Sequence, residues 1–213
     1  MAHMAARLPA ARRRRQLLDV ALEVFAANGF HRTSMEEVAD AAGVTKPVLY
    51  QHFGSKRELY LELLDDVGGQ LMEAIAKAVA SADRPREQVL GGFLTYFRFV
   101  ADHQSAFNLL FGSGARRDEE FADAVRKVED TIAEAIAPLI AADVDEDHRR
   151  LLAHGLVGLA EGTGRQWVAS GLDLDPEVVG QRIAELAWAG LRNIHRDERT
   201  MAPATTPDRG SAG

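Results

Sequence analysis

The sequence predicts an all-α protein of about nine helices, with a three-helix helix-turn-helix head followed by a larger helical body. Three observations predict it. Apolar residues recur at i, i+3, i+4 and i+7 over most of the 213 residues, whereas no stretch sustains strand alternation. The breaks between these runs are short clusters such as Asp83-Arg84-Pro85, Gly112-Ser113-Gly114, Ala141 to Asp145 and Gly171 to Pro176. Finally, residues 30–60, FHRTSMEEVADAAGVTKPVLYQHFGSKRELY, read as helix, tight Gly turn, short second helix and capped third helix.

The first helix is expected over about Arg12 to Asn28, burying Leu17, Leu18, Ala21, Val24 and Phe25. Arg12 to Arg15 open it. Such cations suit phosphates or a neighbouring minor groove, or simply a solvated helix start. Next comes a capping box, from either Thr33 with Glu36 or Ser34 with Glu37, ahead of the stripe Met35, Val38, Ala39 and Ala42. Gly43 stands where the chain must turn sharply, and Val44 is apolar directly after it. Thr45 is expected to cap a short helix over Lys46 to Phe53, with Pro47 in the first turn, where a missing N–H costs nothing.

Two helices joined by a three- or four-residue Gly turn match the helix-turn-helix, whose second helix enters the major groove. Lys46 and Gln51 have base-edge chemistry, toward guanine and adenine respectively, and Pro47 and Val48 suit thymine methyls. Thr45, Tyr50, His52 and Lys56 suit phosphate oxygens, and Ser34 completes the expected DNA-facing set. Leu49 and Phe53 should face inward. An ordinary solvated helix face is the competing reading of the same residues.

The fourth helix is expected from the Ser55–Glu58 box through Leu59, Leu63, Val67, Leu71, Ile75 and Val79, with Gly68-Gly69 as a bend point. It joins head to body and is a natural lever. Further helices are expected at about 85–102, 105–111, 117–140, 147–170 and 176–198, with Pro138 ending or kinking the third of these.

The head resembles the TetR family of bacterial transcriptional regulators over about residues 12 to 60. The matching residues are Phe25, Asn28-Gly29-Phe30, Thr33-Ser34, the run Ala42-Gly43-Val44-Thr45-Lys46-Pro47-Val48-Leu49-Tyr50-Gln51-His52-Phe53, and Ser55-Lys56. The resemblance implies a helix-turn-helix domain at 12–54 behind a flexible arm at 1–11. A ligand-binding and dimerisation domain would follow at 55–199, and the Pro-, Thr-, Gly- and Ala-rich composition of 200–213 predicts a disordered tail. It also implies a homodimer, its two reading helices about 34–36 Å apart on a palindromic operator.

Charge agrees with this division. Residues 1–60 hold nine Lys/Arg against six Asp/Glu, and residues 61–213 hold sixteen against twenty-six, for a net charge of −7. The chain has no cysteine, which excludes disulfides and thiol-based zinc sites. No apolar run approaches the ~18 residues of a membrane span and no signal peptide is visible, so a cytoplasmic location is expected. Met1 to Met4 has the look of an expression remnant.

In the body, aromatics gather at Phe93, Tyr96, Phe97, Phe99, Phe107, Phe111 and Phe121. Each alone suits a helical core. Together they suggest an apolar pocket, with Phe93, Phe97, Phe107, Phe111, Phe121 and Trp167 as lining and Arg98, His103 and Asn108 as polar contacts. The last two helices carry more apolar residues than one buried stripe needs, and Leu156, Leu159, Ile183, Ala187, Trp188 and Leu191 are the expected dimer contacts. Residues 147–194 and KPVLYQHF are also similar to actinobacterial TetR members that govern fatty-acid synthesis. That implies a long-chain acyl-CoA effector. A regulator of efflux or catabolic genes and a ligand-activated DNA binder are the alternatives.

An enzyme has little support. His148 and His154 lie six apart, no HExxH or paired Glu-x-x-His exists, and no P-loop, dinucleotide fingerprint or nucleophile elbow is present. No catalytic residue, metal or cofactor is therefore expected. A ligand-independent DNA binder is the third reading, and it requires a body without a cavity.

Overall fold

The computed structural model describes residues 10–112 and 118–194. The expected arm up to residue 9, the Ser113-Gly114 breaker and the 200–213 tail lie outside these. Among the described residues the chain forms nine α-helices and no strand. They are α1 (Ala10–Asn28), α2 (Met35–Ala41), α3 (Lys46–Tyr50), α4 (Lys56–Ala80), α5 (Pro85–Asp102), α6 (Gln104–Phe111), α7 (Glu119–Ile136), α8 (Glu146–Ala169) and α9 (Pro176–Leu191).

The helix starts follow local chemistry. Ser34, Ser55, Asp118, Asp145 and Asp175 each accept a backbone N–H from the first turn that follows. Pro138 lies in a 3-10 turn, Ala137–Leu139, that ends α7 at Ile136. Helix α9 is described only to Leu191, short of the expected 198.

Helix α1 packs on α2, α4 and α6. Behind the head, α4 continues into the body against α5 and α7, α7 lies along α8, and α9 lies along α5. The Gly68-Gly69 pair does not break α4. Gly68 is buried where α4 crosses α7, and a Cβ there would sit 2.5 Å from a Val128 methyl, whereas Gly69 faces open space. The first glycine lets two helices approach and is not the expected bend.

Leu17, Leu18, Phe25, Val38, Leu49, Phe53, Leu59 and Leu63 form the head's core, continuous with that of the body. A smaller cluster of Ala133, Ala137, Ile140 and Ala153 closes the far end of α7 and α8.

Candidate nucleic-acid interface and effector cavity

Ser34 settles the first cap. Its hydroxyl accepts from the Glu37 N–H, while the Glu37 carboxylate accepts from the Ser34 N–H at 2.7 Å. Those bonds from the Ser34 backbone and side chain hold the Glu37 carboxyl below its ordinary value. Thr33 is instead buried and donates its hydroxyl to the Gly29 carbonyl. Four residues, Ala42 to Thr45, separate α2 from α3. Gly43 has φ +64°, and nothing lies within 4 Å of where its Cβ would be, so backbone conformation alone requires glycine.

Helix α3 is shorter than expected. It ends at Tyr50, and Gln51 and His52 lie in the closing turn, because the Gln51 N–H is shared between the Pro47 and Val48 carbonyls as the chain tightens. Leu49 and Phe53 are fully buried, as inward residues must be. Thr45, Lys46, Pro47, Tyr50 and Gln51 are exposed together, with Val48 and His52 half-buried beside them. Tyr50 presents 44% of its surface on this face. Thr45 makes no side-chain capping bond, and Lys46 lies 3.9 Å from Glu36 across the turn. Ser34 is exposed at the start of α2.

Lys56 departs from the expected set. Its ammonium donates to the Phe30 and Thr33 carbonyls, both at 2.8 Å, and lies over the Phe30 ring. It ties the α1–α2 connection to α4, so its charge is engaged inside the head. The arginine run divides similarly. Arg14 pairs with Glu62 and covers Phe53, and Arg15 pairs with Asp66, both on α4. Arg14 is half-buried by these contacts, whereas Arg15 and Arg12 are exposed.

Arg57, which the sequence does not single out, joins head to body. Its guanidinium takes Asp118 with both terminal nitrogens, at 2.6 and 3.1 Å, reaches Glu120, and lies 4.6 Å from the Phe121 ring centre. The hydrogen bond from Arg57 holds the Asp118 carboxyl below its ordinary value. Phe121 meets Phe30 and Tyr60 edge-on or tilted, with ring centres 4.7 and 4.5 Å away. Burial pushes the Tyr60 hydroxyl up to about 12. The three rings and one arginine thus connect the first turns of α4 and α7. A separation of 61 residues leaves no sequence signal for such a pair.

The body holds a half-open cavity of about 140 Å³, bounded by α4, α5, α7, α8, α9 and the segment after α7. Helix α4 supplies Leu71, Ile75 and Val79, α5 supplies Phe93 and Tyr96, and Phe111 closes it from α6. Of the six expected lining residues, only Phe93 and Phe111 are in the wall. Phe97, Phe107, Phe121 and Trp167 are buried elsewhere, because helical phase points neighbouring aromatics in different directions. Phe97, for example, packs edge-on against Trp167. Arg98, His103 and Asn108 are exposed, and Arg98 bonds Glu177 on α9.

The polar residues in the wall are Gln88, Tyr96, Glu129 and Arg192. Gln88 donates to the Ala82 carbonyl, and Arg192 is exposed at the end of α9. The Tyr96 hydroxyl is buried, makes no hydrogen bond, and is pushed far above its ordinary pKa by that burial. A buried donor left unpaired costs about 1–3 kcal/mol.

The expected dimer contacts also divide. Leu156, Trp188 and Leu191 line the cavity and Ala187 is buried, while Leu159 and Ile183 are half-exposed. The open face holds others: Leu151 at 69% and Leu186 at 61% exposure, with Gly155, Gly158, Gly162 and Gly190, none with an atom within 4 Å of a built Cβ. Glycine weakens a helix by about 1 kcal/mol each, so three on one helix need a compensating contact. Phase, invisible in the apolar count, had mixed the two faces.

Among the described residues no group of three or more His, Asp or Glu is placed to hold a metal ion, and no helix is long and apolar enough to cross a membrane.

Comparison with known proteins fits this arrangement. Residues 17–63 match the family model described as bacterial regulatory proteins, tetR family, and residues 85–190 match that for a tetracyclin repressor-like C-terminal domain. The chain is 34% identical to the HTH-type transcriptional activator FasR of Mycolicibacterium smegmatis, over 88% of this chain and 87% of that one. It is 26% identical to the HTH-type transcriptional repressor KstR2 of the same organism, over 88% and 95%. A crystal structure of a TetR-like transcriptional regulator from Rhodococcus sp. RHA1 superposes with a TM-score of 0.72 at 32% identity, over 88% of this chain and all of that one. The fold is shared too with FadR from Bacillus subtilis, solved in complex with stearoyl-CoA, at TM-score 0.74 and 19% identity over 83% and 98%.

Proposed function

Because the chain belongs to the TetR family of bacterial transcriptional regulators, and so is a DNA-binding regulator and not an enzyme, we propose that it acts as a homodimer whose operator affinity is set by a hydrophobic effector in the body. One observation carries the proposal: α4 follows the reading helix directly in the chain, packs on α1 of the head, and ends as a wall of the cavity. A molecule that displaces Leu71, Ile75 and Val79 must act on the helix that supports the head.

On the DNA side, Lys46 and Gln51 read base edges, with Pro47 and Val48 against thymine methyls. Ser34, Thr45, Tyr50 and His52 hold phosphates. Lys56 acts indirectly, by fixing the α1–α2 connection. On the dimer side, Leu151, Leu159, Leu186 and the open glycines of α8 and α9 meet their twofold copies, which places two heads on a palindrome.

We assign the effector to the long-chain acyl class, with acyl-CoA as the leading member. The wall is mostly hydrocarbon, and a protein of the same fold holds stearoyl-CoA. At about 140 Å³ the cavity is smaller than the ~300–1,000 Å³ of ordinary ligand pockets, so such a chain must widen it. Widening moves α4 against α7, and the Arg57–Asp118 pair passes that movement to the head. The effector shifts DNA binding only by its differential affinity for the two states.

The repressor reading draws on KstR2. A second reading, activation, draws on FasR, the relative with the higher identity of the two. The test is fluorescence anisotropy of a selected palindromic operator, with and without octadecanoyl-CoA, alongside native mass spectrometry for subunit count. A dimer whose affinity changes several-fold with the effector is expected. A monomer on DNA, or affinity indifferent to every hydrophobic compound tried, refutes the proposal. Footprint position relative to the promoter separates repressor from activator.

A further inference from the structure

Within this effector reading, on which the following rests, we infer that the effector carries an uncharged oxygen, a hydroxyl or keto group, on its buried chain, and that Tyr96 selects for it. Tyr96 is 5% exposed, lies in the cavity wall, and its hydroxyl has no hydrogen-bond partner. A phenylalanine would fill the same volume without an orphaned donor, so packing does not account for the oxygen. Room is kept for it: a Cβ on Gly164 of α8 would lie 2.9 Å from the Tyr96 Oη. A chain that spreads α5 from α8 uncovers this oxygen against its own length.

The charge nearby indicates what it receives. Glu129, a carboxylate of α7, stands in the same wall and acts electrostatically on Tyr96. It disfavours an anionic group at this depth. The opposing influence, Arg165, is exposed and occupied by Glu161 one turn away. A neutral oxygen accepts from the Tyr96 hydroxyl without that repulsion, and an alcohol there has a carboxylate within the same wall to donate to. A saturated chain leaves the Tyr96 hydroxyl unpaired.

Calorimetric titration of the full-length protein with octadecanoate and with 3-, 10- and 12-hydroxyoctadecanoate tests this. At least one hydroxy acid should bind the wild type about threefold to tenfold more tightly than octadecanoate, the worth of one neutral hydrogen bond. Tyr96→Phe should remove that preference while leaving octadecanoate affinity and the apoprotein melting temperature unchanged or raised, which a merely structural tyrosine would not produce together. Gly164→Ala, which crowds the same hydroxyl from α8, is the second variant and should reduce the preference. Equal binding of all four acids, or a preference that survives Tyr96→Phe, overturns this inference alone. Binding of none, with an operator affinity that still responds to octadecanoyl-CoA, overturns this inference alone; binding of none with no such response overturns the effector reading as well.

Discussion

Replacing Gly68 by alanine should destabilise the protein, while the same change at Gly69 should stabilise it. Both glycines are in the middle of α4, and both changes gain the same helix propensity, about 1 kcal/mol. Their surroundings differ. A Cβ at Gly68 would lie 2.5 and 2.8 Å from the two methyls of Val128 on α7, and one at Gly69 meets nothing within 4 Å. Carbon atoms favour separations of about 3.5–4.0 Å, so α4 and α7 must part by roughly 1 Å or Val128 must leave its rotamer. Overpacking of this kind costs about 1–3 kcal/mol. The propensity gain cancels between the variants, so their difference isolates that cost. For a chain of this length 1 kcal/mol moves the melting temperature by about 2–4 °C, so a difference near 2 kcal/mol separates the variants by about 4–8 °C. Differential scanning calorimetry at one fixed protein concentration measures it, since dimerisation makes melting concentration-dependent. Equal melting temperatures, or Gly68→Ala the more stable, would refute the close-approach reading of the α4–α7 crossing.

Other consequences are equally direct. Lys46→Ala or Gln51→Ala should each weaken operator binding by about 1–3 kcal/mol and relax one base preference, as read by anisotropy against single-base operator variants. Ala160→Phe, which fills part of the cavity with a ring, should abolish the response to octadecanoyl-CoA while the unliganded protein still binds its operator. Gly158→Glu places a charge on the open face of α8 and should shift the dimer toward monomer in sedimentation velocity. The folded-state carboxyl pKa values of Glu37, Asp118 and Glu177 are all depressed, so their stabilisation is present above about pH 4 and is lost as pH falls through those lower values. Arg57→Gln removes the cause at Asp118, so its melting temperature should fall less steeply between about pH 4 and pH 2 than that of the wild type.

Local rules made the head legible in the amino-acid order. The capping serines, Gly43, Pro47 and the inward pair Leu49 and Phe53 act within a few residues of themselves, and each stands where its local chemistry requires. Helix type and most helix starts in the body followed from the same rules. Facing did not. Phe97 and Phe121 looked like wall residues, Leu156 and Trp188 like interface residues, and Lys56 like a phosphate ligand, because apolar counts and charge carry no helical phase between distant elements.

Which element folds where was thus settled by the residues themselves, since hydrogen bonding along a helix and its caps is satisfied by near neighbours. Which of those helices meet, and therefore that Arg57 grips Asp118, that Tyr96 keeps an unpaired oxygen inside, and that Gly68 admits α7, came from packing alone. Burial is a property of the assembled bundle, so contacts between residues sixty positions apart leave no trace in the order of either segment.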